Sequence, residues 1–270
     1  MPFHAQLRVM AAVAVMLTAG CAGTGGRAVG ARLYPVPSRF DATQLLPPPP
    51  SADAALRRDL EAVRNAQLTR TPEQAAQAEA NSAVDPFRFA AVLGPRFSAA
   101  QLPRTARFLD QAYRSALPWL TTIKDCWNRP RPFLVDPTLT PLERSLASTR
   151  LRTAPAPAPR AAPLPPAHPA CTAPAADASY GPSYPSGHAV VGTLLAIVLA
   201  EMVPEQRAAL FAFGWEYGDA RVISGVHFPS DVEAGRILGT MLVEVMLQDA
   251  RFRNDLRTAR SELRAVLGYR

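Results

Sequence analysis

Residues 187–203, GHAVVGTLLAIVLAEMV, constrain the fold of this chain most strongly, because they are apolar on every side of a helical projection. A helix that is apolar all round is either enclosed in a protein core or embedded in a membrane. Glu201, the Pro204 that follows, and the modest length of the run favour enclosure in a core. The sequence therefore predicts a central helix surrounded by other elements.

The rest of the chain carries helix signals and no strand signals. Ser51 can cap a helix, and Pro72 after Thr71 is typical of a first helical turn. No segment alternates apolar and polar residues as a strand would. The predicted helices cover residues 52–68, a segment from residue 72 onward, and residues 85–94, 98–115, 117–127, 187–203, 204–223, 231–250 and 251–269. We therefore predict an all-α fold, a single compact bundle of roughly eight to eleven helices.

The first 20 residues have the features of an export signal. Arg8 precedes an apolar core at residues 9–17, which is too short to span a bilayer comfortably. The Thr-Ala-Gly sequence that follows ends at Cys21 and resembles a bacterial lipoprotein cleavage site, with ordinary cleavage nearby as the alternative. We therefore predict a lipoprotein signal peptide at residues 1–20, lipidation of Cys21, and a periplasmic protein tethered to the outer membrane.

Composition divides the remainder into a tether and a domain. Residues 21–50 end in four consecutive prolines, which predicts an extended Pro-rich tether. Residues 51–270 are the predicted helical domain. Within it, residues 150–178 are rich in Pro and Ala, which predicts a surface loop.

The basic charge of the chain does not indicate a nucleic-acid partner. The net charge is +7, but the arginines are spread along the chain without a dense basic cluster. A basic surface still attracts anionic substrates. Lys124 is the only lysine, and in a chain that uses Arg everywhere else it suggests a geometry that Arg does not satisfy.

The three cysteines are too few for an all-cysteine zinc site. Export would place Cys126 and Cys171 in an oxidising compartment, where they either form a disulfide or remain two buried thiols.

The first of three polar motifs is KDCWNRPRP, which begins at Lys124 and ends at Pro132. Lys124 lies near the end of a predicted helix, and Arg131 lies seven residues on, in a turn interrupted by prolines. Arg offers a fork of donors and Lys a compact charge, so the two can converge on one small anion. Taken alone, a basic helix end can equally be a complement to the helix dipole.

The second motif, SYPSGH, ends at His188 and leads into the apolar run. Ser186 can cap the helix, and the backbone N–H groups of Gly187 and His188 then point out of its start, which makes an anion site. His188 places a titratable group beside that anion. An ordinary capped helix with a surface histidine is the plainer interpretation of this motif alone.

The third motif contains Arg221, His227 and Asp231. A His followed four residues later by an Asp can be an imidazole oriented by a carboxylate. Asp231 would hold the Nδ1 hydrogen and leave Nε2 as a lone pair aimed outward, while Arg221 adds a guanidinium. A chance surface pair is the alternative, and the spacing suggests no zinc site.

Together the motifs have the spacings K-x6-R-P, P-S-G-H and R-x5-H-x3-D, which resemble the three-part signature of the type 2 phosphatidic acid phosphatase superfamily. The flanking segments LLPPPPS and GWEYGDARVISGVHFPSDVEAG are similar to those of bacterial class A non-specific acid phosphatases. The resemblance extends over about residues 40–265. It departs at Ala220, where the pattern usually has a Ser that would contact phosphate through a hydrogen bond worth about 0.5–1.5 kcal/mol.

The resemblance implies the helical fold that these phosphatases share with haloperoxidases, and hydrolysis of small phosphate monoesters through a phosphohistidine without metal or cofactor. It implies that His227 is the nucleophile, His188 the acid and base, and Asp231 the residue that orients His227. The implied phosphate-binding residues are Lys124, Arg131, Ser186, Gly187 and Arg221.

A membrane-associated lipid phosphate phosphatase is the alternative. A non-catalytic envelope lipoprotein fits the N-terminal third but not the His/Asp set. The expected partners are the substrate, the membrane through the lipid anchor, and a second copy in a homodimer.

Overall fold

Every regular element in the described part of this protein is a helix. The computed structural model describes residues 33–37, 40–51, 54–150 and 179–270. Within those ranges there is no β-strand, and an isolated bridge joins Arg150 to Tyr180. The α-helices there are α1 (Ala42–Leu45), α2 (Ala54–Thr69), α3 (Pro72–Ala80), α4 (Ala90–Leu93), α5 (Pro103–Trp127), α6 (Pro132–Val135), α7 (Glu143–Ala147), α8 (Gly187–Met202), α9 (Arg207–Ile223), α10 (Pro229–Leu247) and α11 (Ala250–Leu267). Short 3-10 helices cover Pro86–Phe89 and Pro204–Gln206. The predicted all-α class is confirmed.

The apolar run forms α8, which is buried along nearly its whole length and lies between α9 and α10. Glycines bring these backbones together, since a Cβ on Gly192 would lie 2.5 Å from the carbonyl oxygen of Gly214 in α9. On the α10 side, a Cβ on Gly239 would lie 2.6 Å from the carbonyl oxygen of Val190. This close packing fixes the start of α8 against the loop that joins α9 to α10. No helix in the described ranges has the length and apolar content that crossing a membrane requires.

Helix α5 is one continuous helix, whereas the sequence predicted two helices at 98–115 and 117–127. Pro118 lies inside α5, and the helix runs on through it. A proline within a helix removes one backbone hydrogen bond, and the loss is offset here because buried side chains on both sides of Pro118 anchor the helix to the core. These buried anchors include Leu109, Ala112, Ala116, Trp119 and Ile123. The last turn of α5 carries Lys124.

The predicted tether is wrong for its C-terminal part. Tyr34 and Val36 are buried in the core, and the Tyr34 backbone N–H donates to Ser115 Oγ at 2.9 Å. Farther along, Tyr184 Oη donates to the carbonyl oxygen of Pro47. The apolar side chains between the prolines pack against the helical domain, so the described residues from 33 to 50 belong to that domain.

Several predictions fall on residues outside the described ranges. The signal peptide at 1–20, the lipidation of Cys21, the first part of the tether and nearly all of the loop at 150–178 lie there. They stay predictions.

Candidate active site

The three motifs meet at the N-terminus of α8. Backbone hydrogen bonds join them: Ser183 N–H donates to the Arg129 carbonyl at 2.8 Å, and Ser186 N–H donates to the Asp231 carbonyl at 2.9 Å. Gly235 of α10 makes this approach feasible, because a Cβ there would lie 2.6 Å from the Ser186 carbonyl oxygen. The structure thus places residues far apart in sequence around one helix start.

His227 is buried and is contacted at both ring nitrogens. Its Nδ1 lies 3.2 Å from Asp231 Oδ2, and its Nε2 lies 2.9 Å from Arg131 Nη1. Because a guanidinium only donates, Nε2 must accept, and the ring proton therefore lies on Nδ1 beside the carboxylate. Asp231 Oδ2 also accepts from the Phe228 N–H at 2.9 Å and from the Ser183 hydroxyl. His227 thus has a fixed tautomer with a lone pair at Nε2.

The electrostatic surroundings favour a neutral imidazole beside an ionised carboxylate. Burial and the nearby charge of Arg131 hold the pKa of His227 well below its ordinary value, and Asp231 opposes them only in part. Burial alone would raise the pKa of Asp231, but its hydrogen bond with His227 and the charge of Arg129 lower that pKa below its ordinary value. This is the charge state that a nucleophilic histidine needs.

Three cations surround the same space, and each is held by neutral acceptors. Lys124 Nζ donates to the Pro182 carbonyl at 2.6 Å, and Arg131 Nε donates to the Gly181 carbonyl at 2.8 Å. Arg221 lies fully buried and donates to two serine hydroxyls. Among the described residues, none of these three side chains forms an ion pair with a carboxylate. Their charges are therefore available to an anion.

Arg221 is held by hydroxyl groups of the segment around α7. Its Nη1 donates to Ser145 Oγ at 3.1 Å and its Nη2 donates to Ser148 Oγ at 2.8 Å. Its Nε is buried and has no hydrogen-bond partner among the described residues. An unpaired buried donor is costly, so this N–H is suited to an acceptor oxygen that arrives with a ligand.

The two arginines keep their charge at acid and neutral pH. Burial lowers the pKa of Arg131 to about 9 and that of Arg221 to about 10. Burial and the neighbouring Arg131 lower the pKa of Lys124 well below its ordinary value. A bound anion would reverse part of that effect, because it supplies the opposite charge.

The start of α8 supplies further donors. Ser186 is the N-cap, and its Oγ accepts from the Ala189 N–H at 3.5 Å. The N–H groups of Gly187 and His188 have no intrahelical acceptor, as in the first turn of any α-helix. A Cβ on Gly187 would lie 3.1 Å from a methyl carbon of Leu120, so the helix start is closely packed.

His188 faces the same space from the first turn of α8. Its Nε2 lies 3.1 Å from the Ser82 carbonyl oxygen, to which it donates, and its ring packs on Tyr217 with centroids 5.3 Å apart. Burial lowers the pKa of His188 well below its ordinary value, and the charge of Arg221 lowers it further. The neutral ring carries its lone pair on Nδ1, so Nδ1 is the atom at which it can gain and lose a proton.

Comparison with known proteins identifies this arrangement. Residues 113–255 match the sequence profile of the PAP2 superfamily, and this span contains all three motifs. The chain belongs to the PAP2 superfamily. The resemblance to acid phosphatases of this superfamily is confirmed, because relatives of this chain carry that name.

Two of these relatives illustrate the extent of the likeness. An acid phosphatase of Zymomonas mobilis is 29% identical over 65% of this chain and 55% of its own length. A non-specific acid phosphatase of Salmonella typhimurium is 47% identical over 30% of this chain and 32% of its own length. The chain thus matches about half of the first relative and about a third of the second. Among solved structures, a transmembrane PAP2-type phosphatidylglycerolphosphate phosphatase from Bacillus subtilis aligns with a TM-score of 0.45 and 17% identity, covering 73% of this chain and 86% of that one.

This PAP2 protein also has site residues that the sequence analysis missed. Arg129 is buried and lies 2.6 Å from Asp231 Oδ1 through its Nη1. The only sequence signal was its place in NRPRP, two residues before Arg131. Ser145 and Ser148 carried no signal at all, because their role depends on where α7 packs.

Two further sequence predictions concern cysteines and metals. Cys126 is buried and disulfide-bonded, and its predicted partner Cys171 lies outside the described ranges, so the pairing stays a prediction. In the described part of the chain, no group of three His, Cys, Asp or Glu side chains is arranged to hold a metal ion.

Proposed function

We propose that this chain is an acid phosphatase that hydrolyses phosphate monoesters through a phosphohistidine on His227. The observation that carries the proposal is the pair of contacts on that ring, with Asp231 at Nδ1 and Arg131 at Nε2. It makes Nε2 a nucleophile whose target anion is attracted by the neighbouring guanidinium. Membership of the PAP2 superfamily and relatives named acid phosphatase support the same activity.

In the first half-reaction, Nε2 of His227 attacks phosphorus while the bond between phosphorus and the ester oxygen breaks. The leaving oxygen takes a proton from Nδ1 of His188, which must enter the reaction protonated. The substrate dianion favours that protonation, since it lies near the ring. Asp231 balances the positive charge that forms on the phosphorylated imidazole.

In the second half-reaction, neutral His188 removes a proton from water, and the hydroxide attacks phosphorus as the phosphorus–nitrogen bond breaks. The products are inorganic phosphate and His227 with its lone pair restored. Lys124, Arg131 and Arg221 stabilise the charge on the equatorial oxygens in both steps, aided by the Gly187 N–H.

We propose that these three cations supply the charge stabilisation without a metal ion. Arg131 changes partners in this scheme, because its Nη1 leaves His227 Nε2 for a phosphate oxygen when substrate binds. The orphan Nε of Arg221 gains its acceptor at the same time. Vanadate, which resembles the transition state, should therefore inhibit, and EDTA should not.

The phosphohistidine is tested with two variants, His227→Asn and His188→Asn. Rapid mixing with 4-nitrophenyl phosphate, whose leaving group needs little protonation, should give an alkali-stable phosphoenzyme that accumulates in His188→Asn, because that variant lacks the base for hydrolysis. His227→Asn should form none and should not turn over. Turnover in His227→Asn, or phosphate found on another residue, would refute the assignment.

We also propose that the protein is exported and anchored through Cys21, on the sequence features of residues 1–21 alone. Mass spectrometry of the membrane-associated protein should find Cys21 as a lipid-modified residue at the mature N-terminus, and Cys21→Ser should release the protein. An unmodified mature terminus would refute the anchor.

A further inference from the structure

Behind the nucleophile lies a buried chain of charged groups that runs from α2 to Asp231. Asp59 of α2 contacts Arg129 Nη2 at 2.8 Å, and Arg129 Nη1 contacts Asp231 Oδ1 at 2.6 Å. The side chains of Asp59, Arg129 and Asp231 are 9%, 5% and 0% exposed. Burying three charges is unfavourable unless each is paired, and here the guanidinium pairs with both carboxylates.

Arg129 differs from Lys124, Arg131 and Arg221, because its guanidinium is paired with carboxylates and is not available to an anion. Its donors go to Asp59, Asp231, Ser230 Oγ at 2.7 Å and the Pro50 carbonyl at 3.2 Å. Its guanidinium also lies 3.9 Å from the centre of the Phe228 ring. Arg129 therefore contacts Asp231 at Oδ1, whereas His227 contacts it at Oδ2.

The two carboxylate oxygens of Asp231 accept hydrogen bonds from different groups. Oδ1 accepts from Arg129, and Oδ2 accepts from His227, the Phe228 N–H and the Ser183 hydroxyl. A carboxylate held at one oxygen only can rotate about its last bond. Held at both, it keeps one orientation, and so does the imidazole that it contacts.

We propose that Arg129, anchored by Asp59, is a positioning residue that fixes the Asp231 carboxylate and thereby aims Nε2 of His227 at phosphorus. The inference rests on the proposed phosphohistidine function. Asp59 has a second effect, because it balances the charge of Arg129. The group Asp59–Arg129–Asp231 keeps one net negative charge, which matches the positive charge of phosphorylated His227.

The experiment compares Arg129→Met, Asp59→Asn and the double variant with the wild-type full chain. We expect Arg129→Met to lower kcat about 10- to 100-fold, the range seen when a partner that orients a functional histidine is lost, with KM nearly unchanged. The inhibition constant of vanadate should rise along with the fall in kcat, because vanadate resembles the transition state. Asp59→Asn keeps the Arg129–Asp231 contact and should lower kcat about threefold to tenfold. It also serves as the informative variant if Arg129→Met does not fold.

The double variant separates orientation from charge. It restores the net charge of the wild-type group but not the hydrogen bond to Asp231 Oδ1. We therefore expect kcat to stay low in the double variant. Recovery of kcat to the wild-type value would overturn the proposal, because it would show that charge alone matters.

Imidazole nitrogen chemical shifts measured against pH give a readout that does not depend on turnover. The charged groups that face His227 are Asp231, Arg131 and Lys124, with Arg129 and Asp59 behind Asp231. Arg129→Met should raise the pKa of His227, Asp59→Asn should lower it, and the double variant should bring it back toward the wild-type value. Equal pKa values in all four proteins would mean that Arg129 is not coupled to His227, and would also overturn the proposal.

Arg236→Met is the matched control. Arg236 lies on α10, like Asp231, and its guanidinium also makes an ion pair and a ring contact, with Asp219 and Trp215. It should leave kcat and the pKa of His227 unchanged, and a fall equal to that of Arg129→Met would make both effects structural. An inactive wild-type protein would refute the proposed function instead, and the pKa series would still decide the coupling.

Discussion

Replacing Ser145 should test how much the orientation of the Arg221 guanidinium contributes to catalysis, because the substitution removes a hydrogen bond that holds Arg221 and leaves the guanidinium itself in place. Ser145 is fully buried, accepts from Arg221 Nη1 at 3.1 Å, and donates to Ser224 Oγ at 3.0 Å. Ser224 in turn donates to the Ala220 carbonyl at 2.6 Å. We therefore expect Ser145→Ala to free the Arg221 guanidinium from a chain of hydroxyls that fixes its direction.

The magnitude follows from the kind of bond that is lost. A hydrogen bond to a charged group contributes about 1.5–3 kcal/mol, and at a buried site water does not replace it. Part of that loss falls on folding and part on transition-state binding. If about 1.4 kcal/mol falls on the transition state, kcat/KM drops about tenfold. Ser148 also accepts from Arg221 but is exposed, so water substitutes for it, and Ser148→Ala should stay within about threefold of wild type.

The assay is kcat/KM for 4-nitrophenyl phosphate together with the inhibition constant of vanadate, for both variants and for Arg221→Met as the upper limit. Both quantities should worsen in the order wild type, Ser148→Ala, Ser145→Ala, Arg221→Met. A lowered melting temperature in Ser145→Ala with unchanged kcat/KM would refute the reasoning, because it would show that Ser145 supports the fold and not the guanidinium.

Three other predictions concern charge, pH and packing. Lys124→Arg should lower kcat/KM about 10- to 100-fold although the charge is kept, since the longer forked group does not fit the 2.6 Å contact with the Pro182 carbonyl; an unchanged rate would contradict this. Burial holds the pKa of His188 below its ordinary value of 6.5, so the unfolded chain binds more protons than the folded one below that pH. The free energy of unfolding should therefore fall as pH drops below about 6.5, less steeply in His188→Asn, and urea titrations at several pH values measure both slopes. Gly192→Ala should destabilise the fold by about 1–3 kcal/mol in thermal melts, because its Cβ would meet the Gly214 carbonyl oxygen; wild-type stability would mean that α8 and α9 can separate at little cost.

The elements that sequence predicted well are those whose signal is local. The central helix α8 was evident from its apolar run, and its N-cap Ser186 from the residues around it. His227 and Asp231 lie four residues apart on a turn and the start of α10, and their contact follows from that spacing. Contacts between residues that are close in sequence can therefore be predicted from the sequence alone.

The elements that sequence did not predict depend on distant packing. Asp59 and Arg129 are 70 residues apart, and nothing near Asp59 marks it as a partner of a buried guanidinium. Tyr34 lies in a segment whose composition indicated a tether, yet its ring is buried against α5 and α11. The two predicted helices form one helix, α5, because the burial of side chains on both sides of Pro118 outweighs the tendency of a proline to interrupt a helix.

Residues upstream of α5 contact the candidate active site, so the part of the chain needed for function begins before the matched family span. The span shared with the PAP2 superfamily starts at residue 113, in the middle of α5. Cutting there would remove Asp59, the Pro50 carbonyl that holds Arg129, and the Ser82 carbonyl that holds His188. A recombinant fragment trimmed to residues 113–255 would retain all three motifs and still lose the contacts that hold Arg129 and His188 in place. Expression boundaries for this protein therefore belong upstream of residue 33, ahead of the first core aromatic.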